Sequence, residues 1–204
     1  MPPLPPPEAP APPAARRRVP WVVAGPAVAV AALALLALLG VRINLTESLA
    51  RGLYRVAAFD PGSAERGQLV TFCPPRETVG RVEPYLLAGD DCAGGDGRAA
   101  YAELGKALAA LPGDTVTVAP DGVRVGGRLL RGSAPVAHSR RGEPVEAALR
   151  THVLGPGEYW VHSGRVRYSL DSRYYGPVQD VRAALRPLLV GGGPGPLEPG
   201  EPGR

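Results

Sequence analysis

The chain has 204 residues, among them 27 glycines and 25 prolines, and carries a formal net charge of +4. This length suits one domain with appendages. Apart from Arg16–Arg18 the basic residues are spread among acidic ones, and no basic stripe with interleaved aromatic residues occurs. We therefore expect no nucleic-acid partner.

The two ends of the chain are poor in residues that could form a core. Residues 1–18 make a Pro- and Arg-rich tail, and residues 191–204 consist mainly of glycine, proline and glutamate. Neither segment can bury enough apolar surface to offset the entropy lost on ordering it. We predict that both tails are disordered and that one folded domain occupies residues 42–190.

Residues 19–41 contain no charged side chain. As a helix they would span roughly 30 Å, the thickness of a bilayer core. Arg16–Arg18 come just before them, so the positive-inside rule puts the N-terminus in the cytoplasm and the folded domain on the outer, periplasmic face. A cleaved signal peptide would have a shorter apolar region and a small-x-small cleavage site, and residues 40–44 are a poor one. We predict an uncleaved, single-pass anchor in the cytoplasmic membrane, with the lipid bilayer as a partner.

Cys73 and Cys92 are the only cysteines. In an exported domain an even pair of cysteines indicates a disulfide. The bond would close a loop of about 20 residues, worth about 3 kcal/mol in the chain-entropy model. A zinc half-site or a thiol nucleophile would need a histidine close in sequence, and the three histidines lie far along the chain. We predict a structural disulfide, no metal site and no cofactor.

Short strand patterns separated by turns run through much of the predicted domain. They occupy residues 67–72, 114–119, 123–125, 128–130 and 157–162. Short strands at close spacing are typical of an antiparallel, mainly β domain rather than of βαβ units.

Ala99–Leu111 does not fit this pattern, because its alanine and leucine content favours a helix. The segment contains Lys106, the only lysine in the chain. A helix would leave this lysine on the surface, whereas a strand could bury it. Propensity favours the helix, and the apolar spacing does not decide between the two.

Lys106 and Ser48 together could perform nucleophilic catalysis. A serine nucleophile needs a neighbouring base, and a lysine serves only when it is neutral, which burial among apolar side chains promotes. Arginines stay charged and cannot replace it. Ser48 follows the predicted anchor by seven residues, at most about 25 Å of chain. A surface lysine retained by chance and a helix-capping serine are the alternatives.

Four segments carry a more specific signal. Ser48 with Gly52 and Tyr54 fits a Ser-x-Pro-x-Gly-x-Tyr box, and residues 66–70 fit Arg-Gly-Asp-hydrophobic-Val. Lys106 with residues 112–114 and the segment 169–176 follow in the same order. These segments resemble the boxes of the signal peptidase I family, above all its conjugative-transfer (TraF-type) branch.

The resemblance implies a signal-peptidase-like antiparallel β domain in which Ala99–Leu111 enters as a strand. It implies a serine endopeptidase with a Ser48–Lys106 dyad. Three further residues would support the site: Ser172 would hydrogen-bond and orient Lys106, and an ion pair of Asp171 with Arg173 would brace it. We add Thr46 as a polar group that could assist the oxyanion.

The implied substrates are exported precursor proteins with small residues before the cut, including pilin precursors in the conjugative branch, where some members cyclise their product. Ala50 stands where the family usually has proline, and Gln68 replaces the usual aspartate. A catalytically silent, membrane-anchored component of a secretion or conjugation apparatus is therefore the alternative.

Overall fold

A computed structural model describes residues 21–75, 88–92 and 100–191. The chain divides into two units, residues 1–38 and residues 39–204. In the first unit helix α1 spans Trp21–Leu38. Across the three described ranges, no helix has both the length and the apolar character needed to cross a membrane. The tails predicted to be disordered lie outside the described residues, apart from Gly191.

The second unit is built mainly of short antiparallel strands, which confirms the prediction of a mainly β domain. It also contains a one-turn 3-10 helix at Pro61–Ser63 and a short helix α2 at Ser172–Tyr175. The strands are β1 (Val41–Asn44), β2 (Gly52–Ala58), β3 (Leu69–Cys73), β4 (Ala88–Cys92), β5 (Leu104–Ala110), β6 (Thr115–Ala119), β7 (Gly122–Val125), β8 (Arg128–Leu129), β9 (Thr151–Val153), β10 (Trp160–His162) and β11 (Asp180–Val190).

Two antiparallel sheets account for most of these strands. The larger has six strands in the order β1-β2-β11-β3-β5-β10, and the smaller has four in the order β8-β7-β6-β9. The five strand patterns predicted from the sequence correspond to β3, β6, β7, β8 and β10. At the turn between β7 and β8, Gly126 and Gly127 both have positive φ, a conformation that favours glycine.

The strand expected for Ala99–Leu111 is also confirmed, since β5 occupies residues 104–110. Strand β5 lies between β3 and β10, with Lys106 opposite Val70 and Ala107 opposite His162. Pairing with β3 and β10 provides hydrogen bonds for the backbone of β5 and buries its alanines. These tertiary interactions outweigh the helix propensity of the alanines.

Strand β11 was missed from the sequence although it lies inside the larger sheet, between β2 and β3. Its alanines, leucines and Pro187 give no strand signal, and proline cannot donate a ladder hydrogen bond. The register of β11 with β2 shifts between Pro187 and Leu189, so the ladder is interrupted where the proline lies.

Two apolar clusters flank β5 and β10. Because successive side chains of a strand point to opposite faces, Leu108 and Val161 join one cluster while Ala109 and Trp160 join the other. The first cluster also contains the buried side chains of Val70, Phe72, Tyr159, Tyr175 and Val178, and the second those of Ala110, Val116, Val118, Val123 and Leu154. Strand β5 is thus held from both faces.

The predicted disulfide is present. Cys73 at the end of β3 is bonded to Cys92 at the end of β4, with 5.7 Å between their Cα atoms. Together with Tyr101, both cysteines form a small buried cluster.

Candidate active site

A cavity of about 730 Å³ lies in the second unit, and Thr46, Ser48 and Lys106 all line it. Its walls come from β1 and the loop that follows, from the start of β5, from residues 136–145 and from residues 166–174. The structure therefore brings both members of the predicted dyad to one cavity, although they are 58 residues apart in sequence.

Lys106 is buried, with 4% of its surface exposed. This burial lowers the pKa of its ammonium group from 10.5 to about 8. The negative charge of Asp171 opposes the shift and the positive charge of Arg173 adds to it. A lysine with such a pKa is neutral in an appreciable fraction of molecules near neutral pH, as a general base must be.

Ser48 lies in the bend that joins β1 to β2 and is half-buried. The side chain of Asn44 organises this loop, because its Nδ2 donates to the carbonyls of Thr46 (3.2 Å), Leu49 (3.3 Å) and Ala50 (3.0 Å). No sequence pattern singled out Asn44. A short polar side chain next to a turn, which can mimic a backbone group, is the signal that could have revealed it.

The hydroxyl of Thr46 donates to Asn44 Oδ1 at 2.7 Å, and the Thr46 backbone N–H donates to the same oxygen at 3.2 Å. Tyr54, which is buried at 2% exposure, donates its hydroxyl to the Ala50 carbonyl at 2.6 Å. Both ends of the Ser48 loop are thus tied by side chains from the strands that flank it.

Asp171 and Arg173 form the predicted ion pair, and both are fully buried behind the cavity wall. Arg173 donates from Nε to Asp171 Oδ1 at 2.8 Å and from Nη2 to Oδ2 at 3.0 Å, a bidentate geometry. Burial alone would raise the pKa of Asp171, but His162 and Arg173 outweigh it and hold that pKa well below its ordinary value. Asp171 is therefore a carboxylate at any pH near neutrality.

His162 was not singled out from the sequence, yet its fully buried ring joins this pair. Its Nδ1 lies 3.0 Å from Asp171 Oδ2. Since a carboxylate only accepts hydrogen bonds, Nδ1 must carry a proton. The other ring nitrogen, Nε2, is buried and has no hydrogen-bond partner among the described residues.

Ser172 has a partner other than the expected one. Its Oγ accepts the backbone N–H of Val161 at 3.0 Å, and in the described ranges no hydrogen bond joins it to Lys106. Ser172 does not line the cavity, whereas Ser169 does. The Ser169 hydroxyl is buried without a hydrogen-bond partner in the described part of the chain. The Ser169 carbonyl accepts a hydrogen bond from Arg173 Nη2 at 2.9 Å.

Ser169, rather than Ser172, therefore has an unpartnered hydroxyl and lines the same cavity as Lys106. The signal was in the sequence, because Ser169 is the first serine of the segment 169–176.

A second serine outside the predicted set contacts the loop that carries Ser48. Ser163, at 3% exposure, donates its hydroxyl to the Ser48 carbonyl at 2.7 Å, across 115 residues of sequence. Nothing in the residues around Ser163 suggests this contact, since it depends on tertiary structure alone.

Two of the motif segments meet away from the cavity. Arg66 pairs with Asp114, which also accepts the backbone N–H of Leu111 at 2.8 Å. These residues belong to the segments 66–70 and 106–114. Asp114 therefore fixes the turn after β5 and has a structural role.

The chain matches one protein family and several curated proteins. The profile of a family described as signal peptidase, peptidase S26, matches residues 17–184. The chain is 34% identical over 157 residues to a plasmid transfer protein TraF of Escherichia coli, covering 74% of this chain and 83% of that protein. It is 38% identical over 180 residues to a conjugal transfer protein TraF of Agrobacterium tumefaciens (strain 15955), covering 85% and 97%. A solved signal peptidase I of Enterococcus faecalis V583 is 21% identical, with a TM-score of 0.35, over 61% of this chain and 97% of that one.

Proposed function

The chain belongs to the signal peptidase S26 family, with TraF-type relatives, and we propose that it is a membrane-anchored serine endopeptidase that processes exported precursor proteins. The observation that carries the proposal is the buried Lys106, whose pKa is lowered to about 8 in the cavity that Ser48 also lines. Burying a charged lysine costs free energy, whereas a neutral lysine on a cavity that it shares with a serine is a usable base.

In the proposed reaction neutral Lys106 takes the proton of the Ser48 hydroxyl as Oγ attacks the scissile carbonyl. The resulting ammonium group then gives that proton to the leaving amine as the C–N bond breaks, which leaves an ester on Ser48. Water attacks the ester while Lys106 accepts one of its protons, and Lys106 returns this proton to Ser48 Oγ as the ester C–O bond breaks and the acid is released. The Ser48 backbone N–H is the proposed donor to the oxyanion, with Thr46 as a weaker candidate.

The buried charges near the dyad suit this cycle. Asp171 stabilises the ammonium form of Lys106 that arises in each half-reaction, and Arg173 limits that effect, so that the lysine can release its proton again. The unpartnered Ser169 hydroxyl lies on the same cavity and can donate to neutral Lys106 or accept from its charged form. We assign Ser169 this orienting role in place of Ser172.

The proposed substrates are exported precursors with small residues before the cut. The relatives named for plasmid and conjugal transfer support a role in conjugation, including pilin precursors. A substrate amine that competes with water for the Ser48 ester would yield a cyclic product.

The proposed location follows from the N-terminal sequence. Residues 19–41 would anchor the chain in the cytoplasmic membrane, with Arg16–Arg18 inside and the catalytic unit outside. Extraction of isolated membranes at alkaline pH tests this anchor, because a peripheral protein would be released and an anchored one retained.

Two observations favour a second function, namely a catalytically silent component of a transfer apparatus. No hydrogen bond joins Ser48 to Lys106 among the described residues, and Ala50 replaces the usual proline of the nucleophile box. Hydrogen bonds between catalytic groups are often long in the absence of substrate, so we favour the enzyme.

Cleavage of candidate precursors by the full chain in detergent separates the two functions. We expect the wild type to process the precursor and the Ser48→Ala and Lys106→Ala variants to lose this activity. Ser133→Ala is the matched control, because this buried serine lies outside the cavity. Processing by Ser48→Ala at the wild-type rate would eliminate the enzyme proposal.

A further inference from the structure

The loop that carries Ser48 has little restraint from its own backbone. Residues 45–50 belong to no helix or strand, and Ala50 lacks the fixed φ of a proline. A nucleophile displaced by about 1 Å can lose a hundredfold in rate, so some contact must hold this loop in place.

Most of the contacts that hold the loop carbonyls come from its own flanks. Asn44 at the end of β1 and Tyr54 in β2 supply the donors to Thr46, Leu49 and Ala50. These contacts fix the shape of the loop but move with the two strands. The Ser48 carbonyl has a different donor, the Ser163 hydroxyl just after β10, at the opposite edge of the six-stranded sheet.

Ser163 is itself firmly held. Its backbone N–H donates to Asp171 Oδ2 at 3.3 Å, and the preceding residue, His162, contacts the same oxygen. Asp171 is in turn clamped by Arg173. Ser163, Asp171 and Arg173 are each at most 3% exposed, so water competes little for these bonds.

From these contacts we infer that Ser163 is a positioning residue, which ties the backbone of Ser48 to the buried Asp171–Arg173 pair and thereby aims the Ser48 hydroxyl at Lys106. Holding the carbonyl oxygen restrains the Ser48–Leu49 peptide plane, and through it the position of the Ser48 Cα atom from which the side chain extends. The same buried pair lies close enough to Lys106 to act on its charge. One buried cluster thus holds the Ser48 backbone through the Ser163 hydrogen bond and influences the protonation of Lys106 through the charges of Asp171 and Arg173. The expected change in kcat rests on the proposed function, whereas the expected loosening of the Ser48 loop does not.

Kinetics of Ser163→Ala in the full-length protein test the inference. We expect kcat for a peptide substrate to fall at least about tenfold while KM stays within about twofold. The variant would change the orientation of the Ser48 hydroxyl but not the residues that contact the substrate. Ser163→Thr keeps a hydroxyl and should restore part of the rate. The control is Ser133→Ala, because Ser133 is equally buried and donates to a carbonyl at 2.6 Å, but lies away from the cavity. It should lose comparable stability with kcat unchanged.

Hydrogen exchange supplies a readout that does not depend on activity. In Ser163→Ala the amides of residues 45–50 should exchange about tenfold faster or more, while those of β5 and β6 stay as protected as in the wild type. Unchanged exchange of the loop, or a kcat within twofold of the wild type, would overturn the inference. If the wild type cleaves no substrate but the loop exchange still rises, the proposed function fails and the structural role of Ser163 stands.

Discussion

The loop that carries Ser48 and the strand that carries Lys106 line the same cavity but are held in different ways. Lys106 lies in a strand paired on both sides, and its environment is set by burial and by two buried charges. Ser48 lies in a bend held by side-chain hydrogen bonds from Asn44, Tyr54 and Ser163. The proposed base is therefore fixed by sheet register, whereas the proposed nucleophile is fixed by individual hydrogen bonds. Substitutions near Lys106 should alter its protonation, and substitutions near Ser48 should alter geometry.

The largest expected effect comes from replacing the lysine itself. Lys106→Met removes the base, and Lys106→Arg keeps a cation that cannot lose its proton. We expect both to lower kcat/KM by about 10³-fold or more, within the range for a general base. Peptide cleavage at pH 8 measures the loss, and thermal unfolding shows whether the fold survives. Lys106→Met should unfold no earlier than the wild type, since it removes a buried polar group.

An active Lys106→Arg variant would contradict the comparison most directly. Since arginine stays charged, such activity would show that the reaction does not need a neutral base at position 106.

The second effect concerns the buried pair that both regions share. Arg173→Met leaves the Asp171 carboxylate buried without its bidentate partner, and breaking a buried ion pair from one side costs about 3–5 kcal/mol. Urea unfolding measures this loss of stability. In the double variant Asp171→Leu with Arg173→Met neither charge of the ion pair remains, so it should be more stable than the single variant. A single variant within about 1 kcal/mol of the wild type would show that the pair is dispensable.

The sequence predicted these two regions unequally, for a physical reason. Lys106 was identified because chemistry and motif spacing agree on it, and the strand around it was expected against its helix propensity. Ser163, Asn44 and His162 were missed because their roles depend on contacts across the fold. Ser172 was given a role that its hydrogen bond to Val161 does not support. The sequence identifies a residue whose chemistry is distinctive, such as the lysine at position 106. It does not show which of two nearby serines, Ser169 or Ser172, lines the cavity.

The third prediction concerns pH. Because only neutral Lys106 can act as a base, kcat/KM should rise with pH through about 8 and then level off. The free energy of unfolding should also rise with pH. The pKa of Lys106 is lower in the folded than in the unfolded chain, so the unfolded state holds the proton longer and rising pH favours folding.

Between pH 8 and the reference pKa of 10.5 this linkage amounts to about 3 kcal/mol. The difference in unfolding free energy between the wild type and Lys106→Met isolates it, since tyrosine ionisation affects both proteins alike. A difference that does not change with pH would show that Lys106 is not desolvated.

The smallest effect is expected at the outer side of the Ser48 loop. Glu47 pairs with Arg140 at 3.1 Å, but both side chains are well exposed, at 49% and 66%. Exposed ion pairs contribute about 0–1 kcal/mol and weaken with salt. Arg140→Ala should therefore change kcat by less than about threefold, and less still at high ionic strength. Arg182→Ala is the matched control, because Arg182 forms a similarly exposed pair with Asp180, which does not touch the loop. If Arg140→Ala lowered kcat as much as Ser163→Ala does, the loop would be held from its exposed side, and the buried anchor at Ser163 would not be what aims the nucleophile.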